Sequence, residues 1–70
     1  MDIKTYREKK GLSQAAFAQL IVDAGQWANQ SLISHYELDR KKPSPRMANT
    51  IQLVTRGQIK RKTLRPDLWG

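Results

Sequence analysis

Seventy residues with 13 Lys and Arg against 6 Asp and Glu, a net charge of +7, no cysteine and one histidine exclude disulfides, thiolate metal centres and a zinc site built on His35 alone. That length holds one domain, residues 1–70, with one core; a chain so short buries only about 60% of its unfolded surface, so packed helices and an oligomer interface are its route to stability. No apolar run reaches the roughly 20 residues that span a bilayer, the opening MDIKTYREKKG has no apolar leader region, so a cytoplasmic protein is expected, and the excess positive charge suggests a polyanionic partner.

The charge is segregated. Lys4, Arg7, Lys9 and Lys10 lie at the front, and Arg40, Lys41, Lys42 and Arg46 lie in the middle. Arg56, Lys60, Arg61, Lys62 and Arg65 lie near the end. From Gly11 to Asp39 there is neither Lys nor Arg. In chain order, Asp2 is a cap for a first helix within residues 2–10, with Ile3 and Tyr6 as a thin apolar face and Gly11 as its stop. Ser13 caps a second helix in which Phe17, Ala18 and Ile21 recur at helical spacing, and Leu12 stands where it can staple to Phe17. Gly25 ends this helix or its extension. Asn29 caps a third helix: Ile33 and Tyr36 share its inner face, while Gln30, Ser31, Ser34 and His35 lie largely on the other. A basic loop over 38–44 leads to Ser44-Pro45, a cap followed by a first-turn proline. The fourth helix then runs to about Thr55, with Met47, Ile51 and Val54 as its buried stripe and Gly57 closing it. The last segment is ambiguous: residues 59–64 suit a short strand, and 64–69 suit a turn or a short helix. The expected fold is therefore mainly α, with four to five short helices and a C-terminal strand or turn.

Leu12-Ser13-Gln14, Phe17-Ala18, Ile21, Gln30-Ser31-Leu32-Ile33-Ser34, then Tyr36-Glu37 and a basic loop ending in Pro resemble the Cro/CI (lambda-repressor-like, XRE) helix-turn-helix family over roughly residues 3–55. Asp67-Leu68-Trp69 after Leu64-Arg65-Pro66 is also similar, more weakly, to small Cro-type regulators of phages and prophages, including YdaS-like proteins. The resemblance implies a bacterial DNA-binding repressor. Its physics is a division of labour. The major groove displays a distinct donor and acceptor pattern for each base pair, which suits Gln30, Ser31, Ser34 and His35 as base readers. Phosphate attraction suits Arg40, Lys41, Lys42 and Arg46, and Asn29 is added to these backbone contacts. Gln14 resembles the family position that supports the recognition-helix Gln and touches a phosphate. The family often joins an Arg of the first helix to a Glu ending the recognition helix, and Arg7 and Glu37 match those positions.

The sequence departs from the family between the two helices. Ile21 and Ile33 stand twelve positions apart, several more than usual, so either the second helix gains a turn or a loop bulges out. Trp27 is expected to fold this insertion back onto the core, with exposure to a partner as the alternative. Leu32 replaces a small or polar residue and either packs on Trp27 or meets a thymine methyl. One small module reads few base pairs, so a homodimer on a palindromic operator is expected. The tail, residues 57–70, is the expected interface, through Ile59, Leu64, Leu68 and Trp69. No cofactor, metal, membrane or small-molecule substrate is expected. Catalysis is disfavoured because the acidic residues are scattered and Ser34 and His35, being neighbours, point about 100° apart on a helix. An RNA-binding role would call for exposed aromatics, whereas these mostly fall on apolar stripes. An antitoxin-like regulator that binds a protein as well as DNA is the alternative, with Trp27 and Trp69 as its contacts.

Overall fold

The computed structural model describes residues 1–69 and is helical, with no strand among them. The helices are α1 (Ile3–Lys10), α2 (Gln14–Asp23), α3 (Gln30–Glu37), α4 (Pro45–Val54), and two single turns, α5 (Arg61–Leu64) and α6 (Pro66–Trp69). The first four helices start alike. The side chains of Asp2, Ser13, Asn29 and Ser44 accept the N–H three residues on, at 2.7, 3.0, 2.9 and 3.1 Å. Each cap satisfies one donor that a helix start leaves unpaired.

They also stop alike. Two N–H groups beyond each helix fold back onto its last carbonyls, across one residue in the left-handed region: Gly11, Gly25, Asp39 and Arg56. This is the Schellman arrangement, in which glycine is the usual occupant. The expected stop at Gly57 is displaced by one residue. Arg56 takes the left-handed position at φ 53°, and the N–H groups of Arg56 and Gly57 reach the carbonyls of Leu53 and Gln52.

α1 to α4 enclose a single core in which Phe17, Ile21, Ile33 and Ile51 are wholly buried. Tyr6 meets Phe17 edge to face, with ring centroids 6.0 Å apart. On α4 the buried stripe is Met47, Ala48 and Ile51, while Val54 is only half-buried. The expected place of Val54 is taken by Ala48, which lies one helical turn from Ile51 at (i, i+3) and is small enough for close packing.

One expectation fails here, and of the readings open for the tail the short helix is found and the strand is not. Trp27 does not pack on the core: it is 70% exposed, and Ala28 is the buried residue of the α2–α3 connection. Leu32 therefore packs into the core rather than onto Trp27, and as a buried side chain it is withdrawn from any thymine methyl. Residues 59–64 are not a strand. A lone strand would leave its backbone groups unpaired, whereas α5 satisfies them locally, with Leu64 N–H donating to the Lys60 carbonyl. Pro66 then disfavours helical geometry at Arg65 and opens α6 at its first position.

The tail is folded onto its own protomer. Ile59 is fully buried, and its N–H donates to Thr55 Oγ1 at 3.1 Å. Leu64 packs against the core, and the Arg61 guanidinium lies 4.6 Å from the Trp69 ring centroid. No helix of the described residues is long and apolar enough to cross a membrane.

Candidate nucleic-acid interface

α3 is amphipathic in a useful way. At about 100° per residue, Gln30, Ser34, Ser31 and His35 occupy one arc of roughly 140°. Leu32, Tyr36 and Ile33 occupy the opposite side, with Glu37 on the border. Gln30, Ser31 and His35 are exposed and Ser34 is half-buried, while Leu32 and Ile33 are in the core. The outer arc therefore offers an amide, two hydroxyls and an imidazole, and no Lys, Arg, Asp or Glu.

α3 is held from its far end. Arg7 Nε donates to Glu37 Oε2 at 2.8 Å and Arg7 Nη2 to Glu37 Oε1 at 3.1 Å, a two-bond fork between α1 and α3. Arg7 Nη1 also donates to the Leu12 carbonyl, in the turn before α2. The Glu37 side chain is only 6% exposed. The Arg7 guanidinium holds its carboxyl below the usual range, with a smaller contribution from Gln14. Gln14 Nε2 donates to Glu37 Oε1 at 3.2 Å. The Gln14 amide is thus turned into this network, with one of its protons used inside the protein. Asn29 Oδ1 likewise serves as the cap of α3.

The cations stand beside this helix rather than on it. Arg40, Lys41 and Lys42 are exposed in the loop after α3, and Arg46 is exposed in the first turn of α4. The Asp39 turn, at φ 58°, starts the loop away from α3, and the Arg40 N–H returns to the His35 carbonyl at 2.9 Å. Of the four residues expected at a dimer interface, Ile59 lies wholly inside the protomer, Leu64 and Trp69 are half-buried against it, and Leu68 is exposed. The burial of Ile59 withdraws it from any contact with a second chain.

Two short helices joined by a turn, the second with a polar outer face and a basic loop behind it, are a helix-turn-helix arrangement. A family model described as helix-turn-helix matches residues 3–59. The chain belongs to the XRE-type helix-turn-helix family. This family is one of DNA-binding transcription regulators and is typically not enzymatic, so DNA binding is the coarse function of this helix-turn-helix domain. No curated protein and no solved structure matches the chain significantly.

Three features of the domain were missed by sequence reasoning. Ala28 precedes the cap Asn29 just as Leu12 precedes Ser13, and the staple rule that marks Leu12 with Phe17 would have marked Ala28 with Ile33. Thr55, 1% exposed, joins the end of α4 to the Ile59 turn, and nothing in the local pattern signals it. Arg65 forks onto Asp67 and reaches the Pro43 carbonyl. The Arg-Pro-Asp spacing hints at the fork but not at the long-range contact.

Proposed function

We propose that the chain is a Cro-type transcriptional repressor that binds a palindromic operator as a homodimer, with α3 in the major groove. The observation that carries this reading is the polar, mostly exposed outer arc of α3, free of Lys, Arg, Asp and Glu and bordered by the exposed cations of the following loop. Gln30 is the first residue of α3, where a recognition helix comes nearest the bases, and its amide can pair with adenine N6 and N7. Ser31 and His35 extend the reading surface, and Ser34 contributes from a more recessed position. Arg40, Lys41, Lys42 and Arg46 grip phosphates on the flank. At the start of α2 the phosphate contact falls mainly to free backbone N–H groups, since Gln14 is drawn toward Glu37. Occupying a promoter suffices for repression. For the dimer, Leu68 with Leu64 and Trp69 remains available after the loss of Ile59.

Selection of binding sites from random duplex DNA at near-physiological salt tests the reading. The expected product is a short palindrome with half-site centres roughly 10 bp apart. Gln30→Ala is expected to relax preference at one position per half-site, at a cost of about 1–3 kcal/mol. Absence of any enriched motif would remove sequence-specific reading. A second reading, a regulator that also binds a protein, draws on the 70% exposure of Trp27. It predicts co-purification with the product of an adjacent gene, lost in Trp27→Ala.

A further inference from the structure

The match to the helix-turn-helix family ends at residue 59, so α5 and α6 lie beyond it, and their polar contacts converge on two places. Arg61 ties the tail to α4: its N–H donates to Gln52 Oε1 at 2.8 Å and its Nη1 to Asn49 Oδ1 at 3.0 Å. Arg65 ties it to the basic loop. Asp67 Oδ1 and Oδ2 accept from Arg65 Nε and Nη2 at 3.0 and 2.9 Å, which aims Nη1 at the Pro43 carbonyl, 3.0 Å away. That carbonyl follows Lys41 and Lys42 directly. Thr63, Leu64 and Pro66 line one groove together with Lys41, Lys42 and Pro43.

We propose that the α5–α6 tail is a brace for the phosphate-gripping loop, with Arg65 as the positioning residue. The proposal rests on the reading that this loop contacts DNA, and it gives the tail a task that does not require a second chain. Arg65 itself is a poor candidate for a phosphate contact. Its side chain is only 19% exposed and its charge is matched by Asp67. A loop of three adjacent cations has many conformations, and fixing one of them reduces the ordering cost of binding.

The test uses one substitution whose electrostatic and positioning effects have opposite signs and one that leaves the charge unchanged. Asp67→Asn removes a negative charge, which by electrostatics alone should strengthen attraction to DNA. Arg65→Lys keeps the charge and loses the planar fork. The brace predicts that both weaken binding to mixed-sequence duplex DNA, about tenfold at near-physiological salt. It also predicts a fall of about one unit in the slope of log K against log salt, as one phosphate contact is lost. In the free proteins, nitrogen-15 order parameters of the backbone should fall at Arg40, Lys41 and Lys42 and stay unchanged in α3. Asp67 is half-exposed, 46%, so its variant is expected to fold.

Unchanged or tighter binding by Asp67→Asn would overturn the brace, as would a loosened loop backbone without loss of affinity. Lys41→Ala with Lys42→Ala separates the two levels. If that pair weakens binding and Arg65→Lys does not, the loop grips DNA unaided and the brace falls alone. If that pair has no effect, the reading of the loop falls and the brace with it.

Discussion

Thr55 shows what one hydroxyl can do in a core this small. It is the one buried polar residue among those described, and its Oγ1 works in both directions. It donates to the Ile51 carbonyl at 2.8 Å and accepts from the Ile59 N–H at 3.1 Å. The second bond matters more. The Ile59 side chain is wholly buried, so its N–H enters a region with little water, and Thr55 is its partner. Valine has nearly the shape of threonine and no acceptor. Thr55→Val is therefore expected to cost about 1–3 kcal/mol, the penalty for leaving a buried donor unpaired. Thr55→Ser, which keeps the oxygen, should cost less. Urea unfolding of both variants checks the order; a loss in Thr55→Ser as large as that in Thr55→Val would mean that the bond contributes no more than the methyl group that serine lacks. A sequence reader sees Thr55 only as the end of a helix, because the partner's burial depends on how the chain turns at Arg56 and Gly57.

At the scale of elements, the starts were legible and the connections were not. Asp2, Ser13, Asn29 and Ser44 act as caps because each local sequence supplies a side-chain oxygen three residues before an unpaired N–H. That is a short-range fact, readable without the fold. The α2–α3 connection is decided at longer range. It offers the core Trp27 and Ala28, and hydropathy favours the larger. Ala28 goes in because it sits immediately before the α3 cap, in the position of a hydrophobic staple with Ile33. Trp27, one residue earlier, is carried outward. Its exposure gives a sharp expectation: Trp27→Ala should change stability by less than about 0.5 kcal/mol, as for other surface positions. Leu32→Ala, in the neighbouring helix, should cost about 2–5 kcal/mol. Thermal melting of the two variants decides. A large loss at Trp27 would mean that the connection is closed by the indole after all. The tail failed to be legible for a related reason: Ile59, Leu64 and Trp69 are apolar, and a sequence does not say whether such residues cover their own protomer or another.

For the whole molecule, the pose of α3 relative to α1 and α2 is fixed at its far end by the Arg7–Glu37 fork, and this makes the protein's stability sensitive to acid in a defined way. The resemblance of the sequence to its family implied the pair; the Leu12 carbonyl and Gln14 contacts that complete the network depend on three elements meeting and were not readable locally. Glu37 is held below its ordinary value of 4.5, chiefly by the hydrogen bonds from Arg7. A carboxyl with a depressed folded-state pKa contributes its full stability above the unfolded value, and the contribution is lost as pH falls through the folded value. The loss should therefore begin near 4.5 and deepen below it. Glu37→Gln removes the charge at every pH and leaves Arg7, 15% exposed, without its counterion, at a cost of about 3 kcal/mol near neutrality. Because the protonated wild-type side chain resembles glutamine, the stability curves of the two proteins should converge as pH falls through the lowered folded-state value of Glu37. Asp2 and Asp67 are also held below their ordinary values, Asp67 at about 2, but both are present in each protein and cancel in the difference. Urea midpoints measured from neutral pH downward give the comparison. Convergence would assign the acid sensitivity to this fork, whereas parallel curves would mean that α3 is held by its buried Leu32 and Ile33 and that the ion pair adds little.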